Sequence, residues 1–301
     1  MAVSVGFFNV NNLFLRYQFD RTYPGDIART SYTVDRRLGF LPALNTEMFA
    51  PFRPDQVELS AAVLMSGGLP DILCLCEVEN LLALRVFNAI YLGGHYRHAL
   101  LIDSHDDRLI DVGILSTREI VHCRSHMERH DGATGKRIFS RDCLEVTLAL
   151  DDAATQRLTL FITHLKSKFV DARNKTPEQV AAALERTNRF RLGQAEEVRK
   201  IVQERFPGEA FGQAWFAVVG DLNDQPASPW VAPLVQEMGL YHVLEELEET
   251  ERWTHWWKSR NRVSQIDYIL LSPALAEAVT QAGVTPRIER RGIGIREIST
   301  T

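Results

Sequence analysis

Trp215-Phe216-Ala217-Val218-Val219-Gly220-Asp221-Leu222-Asn223-Asp224-Gln225-Pro226 is the stretch from which the rest of the chain can be read. A short unbroken apolar run bounded by turn formers predicts a strand buried on both faces. An acidic residue and an amide stand directly at its end. The arrangement recurs along the chain: Asn9 follows Gly6-Phe7-Phe8, Glu77 follows the apolar run 72–76, His164 follows 158–163, and Asp267 stands at the head of 268–271. Strand ends are rigid, so polar side chains placed there can converge on one point.

The remaining pattern supplies the neighbours of these strands. Residues 3–8 predict a short buried strand. Residues 16–54 carry Pro24, Gly25, Gly39, Pro42, Pro51 and Pro54 and predict a long surface excursion. Helices are predicted over 56–65, 81–91 and 234–246. The longest is predicted over 177–206, where Leu192, Ala195, Val198, Ile201 and Val202 recur at three- and four-residue intervals. Strands at 97–102, 111–116, 120–124, 143–150 and 157–163 follow one another closely, as hairpins do. Strands that come both in hairpins and across helices predict two mixed sheets with helices outside, an α/β class, rather than one parallel sheet. No linker divides the sequence, so one domain spanning 1–301 is expected.

Composition narrows the classes. Hydrophobic residues at 45% and charged residues at 24% are those of a folded chain and exclude intrinsic disorder. Lys plus Arg is 34 and Asp plus Glu is 39, a net charge of −5, so any basic surface must be local. Cys74, Cys76, Cys123 and Cys143 are too few for a disulfide scaffold of this length. Cys74 and Cys76 share one face of a strand and cannot bridge each other. They predict buried, reduced thiols and a cytoplasmic protein. No signal peptide is read at the N-terminus. No run nears the roughly 18 apolar residues of a membrane span.

The strand-end residues form a coherent chemical set. Glu77, Asp221, Asn9 and Asn223 offer hard oxygens, which suit magnesium or manganese and not zinc. His164 offers a proton donor or a phosphate contact. Lys166 and Lys168 alternate with it if the strand continues, and would meet an anionic phosphate. Singly, Asn9 reads as a turn asparagine, Asp221 and Asn223 as an Asx-turn, and His164 as a structural histidine. Together they suit metal-assisted hydrolysis of a phosphate ester.

Six segments, in order, resemble the endonuclease/exonuclease/phosphatase superfamily, which includes deoxyribonuclease I, exonuclease III, sphingomyelinases and inositol polyphosphate 5-phosphatases. They are Phe8 to Phe14, Pro70 to Asn80, Ile110 to Leu115, Thr163 to Lys168, Gly220 to Pro226 and Ser264 to Leu270. The resemblance implies a deoxyribonuclease I-like four-layer α/β/β/α sandwich with two mixed sheets. It implies Glu77 as the principal metal ligand with Asn9 beside it. Asp221 and Asn223 would orient the attacking water and the phosphate, or hold a second metal. His164 would stabilise the phosphate or protonate the leaving group. Asp267 would orient a second histidine, and Arg108 would touch phosphate, as would Asn9, Lys166 and Lys168. The activity implied is divalent-metal-dependent hydrolysis of a phosphodiester, with nucleic acid as the expected partner and Mg2+ or Mn2+ as cofactor. The alternatives are a phosphatase, a lipid or inositol phosphodiesterase, and a non-catalytic binding protein on the same fold.

One departure stands out. The family closes with a Ser-Asp-His motif whose histidine pairs with the late aspartate, and no histidine follows Asp267 here. The expectation is a chain lacking its C-terminal Ser-Asp-His segment and last strand, or a protein that has lost the histidine.

Other features have plainer readings. Trp253, Trp256 and Trp257 are read as core or near-core packing rather than base-stacking residues. His95, His98 and His105 are read as surface or loop histidines. Residues 175–191 are basic and are read equally as a solvated helix or as a segment near substrate.

Overall fold

The structure, a computed structural model, describes residues 3–19, 33–34, 42–43, 49–51 and 54–290. Its centre is a pair of mixed sheets. The first has the order β1 (Val5–Leu13), β6 (Ile72–Val78), β8 (Asp111–Ser116), β7 (His98–Leu101), with β1 parallel to β6 and the other pairs antiparallel. The second has the order β13 (Tyr241–His242), β16 (Asp267–Leu271), β12 (Phe216–Asp221), β11 (Arg157–His164), β10 (Cys143–Ala149), β9 (Ile120–Ser125). Only β11 and β12 are parallel in it.

Alternation along the strands sorts the apolar residues into three layers. Ile72, Cys74 and Cys76 of β6 meet Leu144, Val146, Leu160, Ile162 and Val219 between the sheets. Leu73, Leu75 and Val78 point the other way, onto α1 (Pro54–Ser66) and α2 (Leu81–Val86). Phe161, Phe216 and Val218 leave the second sheet outward and pack on Ala195, Val198, Ile201 and Val202 of α3 (Pro177–Arg205). The result is the expected α/β/β/α sandwich. Strands buried on both faces explain the unbroken apolar runs of β6 and β12. Thr176 caps α3 in a reciprocal capping box with Gln179, and Pro177 opens its first turn. Short elements complete the frame: α4 (Glu209–Gln213), α5 (Ala232–Val235), α6 (Pro273–Gln281) and the hairpin of β14 (His255–Trp257) and β15 (Arg262–Ser264).

Several expectations need correction. The helix predicted over 234–246 is α5, then a turn at Gly239 (φ +69°), then β13 and a 3-10 turn at Val243–Glu246. The glycine turn lets the chain double back and pair with β16. The second helix stops as an α-helix at Val86 and continues as a π-turn, Phe87–Tyr91. Cys74, Cys76 and Cys143 are buried as expected, but Cys123 is exposed on the edge strand β9. Trp257 is exposed, while Trp253 and Trp256 are half-buried. Trp253 stacks under the Arg290 guanidinium, and the Trp256 indole N–H donates to Asn261. Of the excursion over 16–54, residues 20–32, 35–41, 44–48 and 52–53 lie outside the described part. The described pieces form two short antiparallel pairs, β2 (Tyr17–Phe19) with β5 (Phe49–Pro51) and β3 (Thr33–Val34) with β4 (Pro42–Ala43). Among the described residues, no helix is long and apolar enough to cross a membrane.

Candidate active site

At one end of the sandwich the inner apolar layer gives way to polar residues. On β11, β12 and β16 the inward positions Ile162, Val219 and Ile269 are followed or preceded, one alternation on, by His164, Asp221 and Asp267. These three lie in a single row, because His164 is the register partner of Asp221 and Asp221 of Asp267. In the facing sheet Asn9 is the partner of Cys76, again on the inner side.

Glu77 reaches the same place through a bulge. The β6–β8 register passes from Cys76↔Val112 to Val78↔Asp111, so Glu77 is an extra residue, with φ +65°. Val78 takes the outward position that regular alternation would have given to Glu77, and the carboxylate turns to the strand end. A positive φ at a non-glycine residue is a local strain, of the kind found at functional sites. The end of β1 is irregular too: Asn11 and Asn12 have positive φ, and the Asn11 N–H donates to Asn9 Oδ1 at 2.9 Å.

The side chains converge closely. Asn9 Nδ2 donates to Glu77 Oε1 at 3.3 Å and to Asp221 Oδ2 at 3.1 Å. His164 Nε2 lies 3.8 Å from Asp221 Oδ2 and 4.0 Å from Glu77 Oε1. The Asn223 backbone N–H donates to Asp221 Oδ1 at 2.7 Å, while its side-chain amide donates to the Leu165 carbonyl at 3.0 Å. Thr254 Oγ accepts the backbone N–H groups of Ile266 and Asp267, both at 3.1 Å. Within this cluster His164 Nδ1 and Asp267 Oδ1 are buried without a partner.

The electrostatics follow from crowding. Burial, and next the charge of Glu77, push the Asp221 carboxyl up to about 7, against the stabilising bonds from Asn223 and Asn9. Burial and then the charge of Asp221 push Asp267 well above the carboxylate range. Burial, assisted by the Arg141, Arg108 and Lys166 cations, holds His164 well below the ordinary imidazole value, so it is neutral.

A divalent cation fits this donor set. Three carboxylates, Glu77, Asp221 and Asp267, crowd together, and among the described residues no lysine or arginine forms an ion pair with any of them. A cation there reverses the upward push on the carboxyls. Glu77 and Asp221 are the groups best placed to hold it. Asn9 turns its amide nitrogen, not its oxygen, towards them and hydrogen-bonds both carboxylates.

The sequence-predicted cations divide. Lys166 is half-buried, and its ammonium is destabilised by burial and then by the charges of Arg141 and Arg108. Arg108 is exposed, 3.5 Å from Asp106. Lys168 does not share the face of His164. The strand stops at His164, and Lys168 forms an ion pair with Asp224.

Several supporting residues escaped the sequence reading. Arg141 is fully buried and donates to Asp106 at 3.0 Å and to the carbonyls of His164 and Leu165 at 3.4 and 3.1 Å. Arg191, in the basic segment read equally as a solvated helix or as near substrate, is fully buried. Arginine in a charged stretch carries no sequence mark of burial. Cys76 was read only as a core thiol, yet its sulfur, a His164 ring nitrogen and an Asp221 oxygen all lie within 4.8 Å of one another.

Fold and site together define an α/β sandwich with an acidic, histidine-bearing centre at its strand ends. The chain belongs to the Endonuclease/Exonuclease/phosphatase family, whose model matches residues 8–289. No match is found among curated protein sequences. Among solved structures it is similar to the human Nocturnin catalytic domain with bound sulfate anion, at 16% identity and TM-score 0.52, over 72% of this chain and 75% of that one. A β-hairpin deletion mutant of Staphylococcus aureus beta toxin aligns at 12% identity and TM-score 0.53, over 91% and 88%. Humanized D. rerio TDP2 aligns at 18% identity and TM-score 0.50, over 90% and 84%. These likenesses establish the fold.

Proposed function

We propose that this protein is a divalent-metal-dependent phosphodiester hydrolase, with nucleic acid as its substrate and Mg2+ or Mn2+ as its cofactor. The observation that carries the reading is the convergence of Glu77, Asp221, Asp267, Asn9 and His164 from two sheets on one partly open point. The family match supports phosphate-ester chemistry.

The cation, held by Glu77 and Asp221, would supply charge neutralisation at the phosphoryl oxygens. The chain's own groups do the rest. Asn9 holds the two carboxylates in place. Asp221, fixed by the Asn223 N–H, orients the attacking water. Asp267, its register partner, would take the water's proton once a bound cation offsets the crowding that now keeps its carboxyl protonated. The bond from phosphorus to the departing oxygen breaks as the water's oxygen bonds. Neutral His164 hydrogen-bonds a phosphoryl oxygen through its ring N–H, and Lys166 and Arg108 attract the anionic substrate. Cys74, Cys76 and Cys143, buried and reduced, suit a cytoplasmic location.

The test is a substrate panel with and without Mg2+: duplex DNA, single-stranded RNA, an inositol polyphosphate and sphingomyelin vesicles. Metal-stimulated cleavage of a nucleic acid supports the reading. Cleavage of only the inositol phosphate or the lipid moves the substrate class, and no metal-stimulated cleavage of any of them overturns the enzyme reading.

A further inference from the structure

Midway along α3 two polar side chains, Arg191 and Gln194, are fully buried against the second sheet. Buried polar groups are costly unless their bonds are made, and each of the two spends a bond on the backbone of Lys166, while Arg191 Nη2 has no partner. Gln194 Oε1 accepts the Lys166 N–H at 2.8 Å, and its amide donates to the Ile138 carbonyl at 3.2 Å. Arg191 Nε donates to the Lys166 carbonyl at 2.8 Å. Both backbone polar groups of Lys166, two residues past His164 and beyond the end of β11, are therefore held by α3.

The same guanidinium reaches a second strand end. Arg191 Nη1 donates to Asp224 Oδ2 at 2.8 Å and to Asn188 Oδ1 at 3.0 Å. Asp224 follows Asp221 and Asn223 in the loop after β12. Its carbonyl accepts the Tyr268 hydroxyl at 2.7 Å, and Tyr268 is the neighbour of Asp267 on β16. A single Arg191–Asp224 pair thus ties together the ends of β11, β12 and β16, which carry His164, Asp221 and Asp267. A buried ion pair is a poor stabiliser compared with apolar residues of the same volume. What it provides here is a fixed geometry.

We infer that Arg191, acting through Asp224 and the Lys166 backbone with Gln194 beside it, is a positioning residue that sets the spacing of His164, Asp221 and Asp267; this rests on reading that site as hydrolytic. It touches none of the three directly. Lysine keeps the charge but lacks the planar fork that serves both acceptors at once.

The experiment compares Arg191→Lys, Asp224→Asn and the double variant. Its readouts are Mg2+-supported turnover of bis-(p-nitrophenyl) phosphate, melting temperature, and the ring 15N shifts of His164. Each single variant should lower kcat roughly 10- to 100-fold, with KM changed less than about threefold and the chain folded. The double variant should fall no further than the weaker single, because the pair acts as one unit. The His164 resonances should move in each. Unchanged kcat and unchanged His164 shifts in a folded variant overturn the inference. So does a loss of turnover that merely tracks the lost folded fraction. If both singles fail to fold, Gln194→Met, which frees the Lys166 N–H and the Ile138 carbonyl but leaves Arg191 and Asp224 paired, decides on the same two readouts. A wild-type chain without turnover sinks the hydrolytic reading, and the His164 shifts then judge the positioning role alone.

Discussion

Asn9 and Asp221 lie 212 positions apart in sequence and in different sheets, yet the Asn9 side-chain amide donates to the Asp221 carboxylate at 3.1 Å. This contact closes the end of the sandwich. It brings the middle of β1 and the end of β12 within one hydrogen bond and, with the bond to Glu77, makes one amide the brace between two carboxylates. The chemistry proposed above depends on that brace.

Replacing Asp221 by Asn, or His164 by Ala, should lower turnover by about two to four powers of ten while the chain remains folded. Steady-state kinetics with a melting curve for each variant check this. A normal rate at wild-type stability would remove that residue from the chemistry.

Gly220→Ala should be severely destabilising. A Cβ at this position would lie 1.8 Å from the Thr163 carbonyl oxygen, so β11 and β12 would have to separate beside His164 and Asp221. A loss of about 3 kcal/mol or more is expected from such overpacking in a central strand pair. Urea denaturation measures it, and a variant within 1 kcal/mol of wild type would show that the strands are not so closely apposed.

The strand ends were legible because each carries a polar residue directly after an apolar run, and register alone brings His164, Asp221 and Asp267 into one row. The bulge at Glu77 was not legible. A one-residue insertion leaves Ile72 to Val78 looking like any buried strand, and only the facing strand reveals it. Arg141 and Arg191 were invisible for a related reason: their burial is decided by the carbonyls of His164, Leu165 and Lys166, whose free acceptors depend on where β11 stops. The sequence placed Lys168 on the site by extending that strand too far, and the structure spends it on Asp224. The helix predicted over 234–246 failed because apolar periodicity did not register the turn at Gly239.

His242 should contribute stability that is lost as the pH drops from about 6.5 towards 4. Burial, and next the Arg252 charge, push its imidazole down to about 4. Its Nε2 contacts the Gln265 amide, its ring lies against Tyr268, and Glu245 is 3.9 Å from Nδ1. The unfolded chain takes up the proton near 6.5 while the folded chain resists until about 4. The contribution is therefore intact above 6.5 and is lost below it, to a limit of about 3 kcal/mol. Denaturant midpoints across this range for wild type and His242→Gln check it, and parallel pH profiles would contradict it.

The central claim is that Glu77 holds the divalent cation on which hydrolysis depends. Glu77→Gln removes one charge at nearly constant shape, so the fold should survive. Calorimetric titration of Mg2+ and Mn2+ into wild type and Glu77→Gln, with matching melting curves, tests the claim most directly. The account predicts saturable binding to wild type and an affinity at least about tenfold weaker in the variant, since affinity at hard-cation sites follows the charge of the ligands. Equal affinities in two equally folded proteins would contradict it.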